Sequence, residues 1–153
     1  MSEHKEFVAI FSDILTKLAN KTLYHVATIS AIHSIRAGIN PGNNIWAQYG
    51  KGFYTFAKRG DARKWQRLRP ILLDTSEEHV ILEFRIQRHI WKRLKRKRVP
   101  ESYNWHIPQN WIREFDILEC HWGVTPETSA LRGAKQYKFN PSTYEILDSA
   151  LVR

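Results

Sequence analysis

Two short stretches set hydrogen-bonding and stacking side chains beside backbone that can bend sharply. In the first, the apolar run Leu23-Tyr24-His25-Val26 is followed by Thr28 and then by Ser30, which opens a helical turn closing at Gly38. In the second, Tyr49-Gly50-Lys51-Gly52-Phe53-Tyr54-Thr55, two glycines precede an aromatic strand, where the main chain must turn or come close to a ligand. An imidazole at His25 and a phenol at Tyr54 are therefore expected at strand ends. Seven histidines also permit a two-histidine acid–base pair, for example His25 with His121, able to cleave RNA without a cofactor. Other chemistries find no residues to carry them. The single cysteine, Cys120, allows neither an internal disulfide nor a cysteine-based metal site, and the chain has no P-loop, no Gly-x-Ser-x-Gly elbow and no HExxH.

The elements that must position these residues can be read in turn. Residues 3–19 repeat Phe7, Ile10, Phe11, Ile14, Leu15 and Leu18 at three- and four-residue steps, which predicts an amphipathic helix packed on the domain's own core, with docking of a partner as the alternative. Ser30 is expected to cap the helix that follows the first strand, with Ile32 and Ile35 as its apolar face, and Gly38 to end it. Asn40-Pro41-Gly42-Asn43-Asn44 is a turn cluster. Asp61 is expected to cap a short helix to about Leu68, with Ala62 and Trp65 inward, ended by Pro70. His79 to Ile86 suits a largely buried strand. From Gln87 to about Lys97 the period becomes helical, with Ile86, Ile90 and Leu94 four apart. Strands are expected at Phe115–Glu119 and Gln136–Phe139, with a long loop from Cys120 to Gly133 between them. Asn140-Pro141 should start a last helix holding Tyr144, Ile146 and Leu147.

Length and composition bound the whole. With 153 residues, 42% hydrophobic and 25% charged, the chain is long enough for a core, and it is expected to form one domain over residues 1–153, with 1–21 as a helical extension. No apolar run approaches the roughly 20 residues that cross a bilayer, and the N-terminus has no signal pattern, so a cytoplasmic protein without membrane contact is expected. The net charge of +9 is concentrated: residues 58–98 hold fourteen Lys and Arg against five acids, whereas 1–57 sums to +2 and 99–153 to −2. Arg88, Lys92, Arg93, Lys95, Arg96, Lys97 and Arg98 place seven cations in eleven residues with no acid between them. Such a segment suits phosphates, and a nucleic-acid surface on this basic helix is expected beside the alternative of a solvated face.

The order Tyr-His-x-x-Thr, then Ile-x-x-Gly-Ile-x-Pro, then Gly-x-Gly-Phe-Tyr-Thr resembles the small prokaryotic NAD-dependent ADP-ribosyltransferase toxin domains of the diphtheria-toxin-like, His-Tyr-Glu branch. The resemblance continues through Asp61-Ala62-Arg63-Lys64-Trp65, Val80-Ile81-Leu82-Glu83-Phe84 and Gln136-Tyr137-Lys138-Phe139, and covers roughly Leu23 to Leu147. It implies an α+β fold with a split, twisted antiparallel sheet of ADP-ribosyltransferase type and flanking helices, with NAD+ gripped between the sheet halves. It also implies catalytic roles for His25, Tyr54 and Gln136, and a cofactor site of His25, Val26, Thr28, Gly52 and Tyr54. In that scheme His25 bonds a ribose hydroxyl, the Val26 backbone reads the carboxamide and Tyr54 stacks on nicotinamide. Gln136 stands where the family has a glutamate, so it can bond the ribose yet brings no charge; Glu83, Glu119 and Glu127 are the other carboxylates of the right type. The resemblance implies mono-ADP-ribosyl transfer in a toxin–antitoxin or phage-defence setting with a possible antitoxin partner, and the clustered positive charge points to a nucleic acid, RNA before DNA, as the acceptor. A transferase acting on protein, the two-histidine ribonuclease and an inert nucleic-acid-binding module remain alternatives.

Overall fold

A computed structural model describes residues 3–39, 52–100, 107–122 and 126–153. The turn cluster at 40–44, the glycine-bearing Tyr49-Gly50-Lys51, and Tyr103, Trp105 and His106 lie outside the described residues. The chain is mixed α+β, built on one six-stranded, mostly antiparallel sheet. In chain order the elements are α1 (Glu3–Ala19), β1 (Asn20–Thr28), α2 (Ile29–Ala37), β2 (Phe53–Phe56), α3 (Arg59–Leu72), β3 (His79–Gln87), α4 (Arg88–Arg93), β4 (Arg96–Arg98), α5 (Trp111–Glu114), β5 (Ile117–His121), β6 (Lys135–Phe139) and α6 (Tyr144–Ala150). The strands lie in the order β3-β1-β2-β6-β5-β4, antiparallel throughout except for the parallel pair β4/β5.

Alternation along the strands gives the sheet two apolar faces, since successive side chains point to opposite sides. One face carries Leu23, Ala27, Phe53, Leu82, Phe84, Tyr137 and Phe139, covered by Trp91 of α4, Leu147 of α6 and the Ile32–Ile35 side of α2. The other carries Val26 and Phe56 under Ala62, Trp65 and Leu68 of α3, continuing into a cluster of Val99, Leu118 and Cys120 with Trp111 and Phe115. Phe84 and Phe139 are wholly buried, a gain of about 1.5–3 kcal/mol for each such side chain.

Several local expectations change in the folded chain. Thr28, not Ser30, caps α2: its hydroxyl accepts from the Ala31 N–H at 3.2 Å, while the Ser30 N–H donates to Glu77. Gly38 ends the helix at φ 147°, outside the range of ordinary side chains, with its N–H on the carbonyls of Ser34 and Ile35. α3 starts at Arg59, its N-cap is Lys58, and Asp61 lies in its first turn. Pro70 does not end it, because the ring removes only the bond to the Gln66 carbonyl, and the last turn still closes through Leu73 N–H on Arg69.

The predicted basic helix is the largest change. It stops at Arg93; Leu94 is extended, the Lys95 N–H donates to Asp116, and Arg96–Arg98 pair with Ile117–Glu119 as an edge strand. Sheet pairing has overridden helical periodicity. The strand expected at 115–119 runs from Ile117 to His121 and the loop after it is shorter, holding a 3-10 turn at Pro126–Leu131. Asn140 precedes a proline-led 3-10 turn but makes no side-chain cap: its amide N–H donates to the Phe115 carbonyl at 2.7 Å, and the side-chain oxygen that would accept from the turn is buried without a partner. The apolar stripe of α1 does not pack on the core: Phe7, Ile10, Phe11, Ile14, Leu15 and Leu18 are all exposed.

Candidate functional site

The site forms where two strands that should zip together barely meet. β1 pairs with β3 over nine positions, yet it meets β2 in register at Tyr24↔Phe56 alone. Beyond that rung the His25 side chain replaces the ladder: its Nδ1 lies 2.6 Å from the Tyr54 carbonyl oxygen. A carbonyl only accepts, so Nδ1 carries the hydrogen and the neutral ring keeps its lone pair on Nε2. The imidazole also stacks on Phe53, with centroids 4.0 Å apart and planes at 25°. Burial pulls the His25 pKa down to about 4; the bond to Tyr54 works against the shift, and the Arg69 charge adds to it. At neutral pH the ring is uncharged, with its tautomer fixed.

Tyr54 and Gln136 share a face of the sheet. Tyr54 stands opposite Lys138 on β6 and Phe56 opposite Gln136, so Tyr54 and Gln136 are diagonal neighbours, about 7–8 Å apart by strand geometry. The Tyr54 side chain is half-buried against the Val99–Leu118–Cys120 cluster. Gln136 is buried and faces Cys120 across the β5/β6 pair. By alternation His25 belongs to the opposite face, beside Phe53, so the structure brings Tyr54 and Gln136 together on one face and leaves His25 on the other, linked to them through its bond to the Tyr54 carbonyl. Burial lifts the Cys120 thiol to about 12, and no thiolate is available there at neutral pH.

The remaining site residues have assigned places. Val26 is buried under α3, and the Thr28 hydroxyl is occupied as the α2 cap. Gly52 is buried directly before β2: a Cβ on it would overlap the Lys138 side chain and lie 2.9 Å from the Phe139 carbonyl oxygen, so only glycine lets these strands close. Neither described carboxylate can replace Gln136. Glu83 pairs with Arg85 at 2.8 Å, and Glu119 with Lys135 at 2.6 Å on β5. Glu127 lies outside the described side chains. The two-histidine arrangement does not form, because His25 on β1 and His121 on β5 are three strand spacings apart, roughly 14 Å.

The basic segment is divided. Arg96 lies over the Trp91 ring at 4.6 Å and donates to the Trp91 carbonyl, and Lys97 lies over Trp111 at 5.2 Å. Lys92, Arg93, Lys95 and Arg98 are exposed. Trp111 also meets the Phe115 ring edge-on, with centroids 6.2 Å apart.

Lys138 is the residue that sequence reasoning passed over. It is wholly buried, its Nζ has no hydrogen-bond partner, and burial pulls its pKa down to about 8. The available signal was a lysine at an inward position of the strand that carries Gln136. Among the described residues no group of three or more His, Cys, Asp or Glu side chains converges to hold a metal, and no helix is long and apolar enough to cross a membrane. No protein-family model matches this chain, and a search of curated proteins finds no significant match.

Proposed function

We propose that this protein is an NAD+-dependent mono-ADP-ribosyltransferase that modifies nucleic acid, RNA in preference to DNA, in a cytoplasmic toxin or defence setting with an antitoxin as its protein partner. The observation that carries the reading is the His25–Tyr54 seam: an uncharged imidazole with Nε2 free to accept, hydrogen-bonded to the strand that bears a half-exposed tyrosine. The substrate's nicotinamide is cationic, and the transition state gathers positive charge on the ribose carbon. A protonated histidine would oppose both, whereas a neutral one accepts a ribose hydroxyl without that cost.

In the proposed reaction the bond between the ribose C1′ and the nicotinamide nitrogen breaks, and nicotinamide leaves with the electron pair. A nucleophile of the acceptor then forms a bond to C1′ and releases its proton. Tyr54 stacks on the departing ring, and Gln136, a diagonal neighbour, bonds the ribose through its amide. The exposed cations of α4 and β4 support a phosphate-bearing acceptor.

Incubating the protein with labelled NAD+ plus RNA, and separately with cell protein, tests this. Label should enter RNA, and His25→Ala and Tyr54→Ala should lower labelling at least about a hundredfold in variants whose far-ultraviolet spectra are unchanged. Gln136→Glu should retain or raise NAD+ cleavage. Label in protein alone would reassign the acceptor, and no cleavage of NAD+ by folded protein would overturn the reading.

A further inference from the structure

Lys138 is the one wholly buried Lys or Arg among the described residues, and its amine has no partner. A buried ammonium without a partner is strongly unfavourable, and interior cations are normally paired or hydrogen-bonded. Here Nζ has three donors and no acceptor, on a lysine that stands between Tyr54 and Leu118 on the sheet face that also carries Cys120. The lysine sits directly opposite Tyr54 on the neighbouring strand and two positions along β6 from Gln136, on the same face as both. Its stem passes through the space a side chain at position 52 would fill. Glycine at 52 therefore makes room for the lysine, at the start of the strand that carries Tyr54. Methionine or leucine would fill the same apolar space without burying a charge, so packing does not account for the amine.

We propose that Lys138 is an anion-binding residue of this site, its ammonium meeting a phosphate group that enters beside Gly52 and Tyr54. The identity of that phosphate rests on the transferase reading, in which it is the pyrophosphate of the dinucleotide. A nicotinamide cation over Tyr54 requires the lysine charge to be directed away from the ring, and the pyrophosphate is the part of the substrate that welcomes it. The four-carbon stem can swing Nζ from beneath Gly52 toward such a group by changing rotamer. The lowered pKa fits an amine that waits without a counter-charge and holds its proton more firmly once an anion arrives.

The test compares wild type and Lys138→Met by calorimetric titration with inorganic pyrophosphate, ADP-ribose, NAD+ and nicotinamide riboside, alongside thermal melts of the free proteins. Lys138→Met removes a buried charge at nearly constant volume, so it should fold and melt higher than wild type at pH 7. It should bind pyrophosphate, ADP-ribose and NAD+ about tenfold or more weakly, the loss expected for one charge-assisted hydrogen bond, with nicotinamide riboside unchanged. Equal affinity of wild type and Lys138→Met for ADP-ribose and pyrophosphate would overturn the proposal, as would failure of wild type to bind any phosphate. Binding of pyrophosphate through Lys138, with no binding of ADP-ribose or NAD+, would keep the anion site and remove the dinucleotide from it.

Discussion

His25 takes up a proton only near pH 4 in the folded chain, against about 6.5 for a free imidazole. The unfolded chain therefore binds this proton first as pH falls, and folding loses stability over that interval. The contribution is fully present above pH 6.5, declines between 6.5 and 4, and is gone below the folded value. His25→Phe retains a ring against Phe53 and removes the titration. The difference in melting temperature between wild type and variant should accordingly fall as the buffer is taken from pH 7 to pH 4. A difference independent of pH would mean that the imidazole is not held neutral. At this scale the sequence singled out candidates that sit next to a backbone signal: His25 lies in the strand before the α2 cap, and Tyr54 follows two glycines. Lys138 carries no such mark. Its peculiarity is burial without a partner, which depends on Gly52, Tyr54 and Cys120 arriving from other strands.

Elements were legible where a single period governed them. α1, β3 and β6 fall close to their expected limits because one apolar period runs through each, whereas β1 begins earlier, at Asn20, and α6 later, at Tyr144 after a 3-10 turn. The basic stretch after β3 was not, since Ile86, Ile90 and Leu94 satisfy a helical period while Asp116 and the β5 edge capture residues 95–98 from more than 15 residues away. Long-range pairing of that kind leaves no local trace. α1 is the opposite case, a helix correctly placed whose surroundings were misjudged. Ile10 and Leu18 are 62% and 67% exposed, so each forgoes roughly half or more of the 1.5–3 kcal/mol that full burial supplies. Ile10→Glu and Leu18→Glu should then change folding stability by less than about 0.5 kcal/mol each. Leu147→Ala in α6, at a wholly buried position, should cost about 2–5 kcal/mol. Denaturant melts of the three variants would reverse the assignment of α1 if the glutamates proved as costly as the alanine.

At the scale of the molecule, the sheet separates what the linear charge count had merged. α3 lies on the Val26–Phe56 face, while Trp91 anchors α4 on the Leu23–Phe139 face, so the cations of residues 58–98 form two surfaces with a sheet between them. A single strand of RNA cannot follow both without wrapping round an edge. The two sets also differ in what already neutralises them. On α3, Lys64 lies 3.9 Å from Asp61, and Arg59 lies 3.9 Å from Glu83. On α4 and the approach to β4, Lys92, Arg93 and Lys95 are exposed, with no ion pair to another described residue. Their counterions are the ones a polyanion would release, so the proposed RNA contact is expected on the α4–β4 side. Reversing Lys92, Arg93 and Lys95 to glutamate should flatten the dependence of RNA affinity on salt, lowering the slope of log affinity against log salt by roughly 2, since each single-strand phosphate contact contributes about 0.7. Reversing Arg63, Lys64 and Arg67 should leave that slope within about one contact of wild type. If the α3 variant loses the slope and the α4 variant keeps it, the acceptor approaches from the other face; if both keep it, the basic segment is a solvated surface and RNA is not the acceptor.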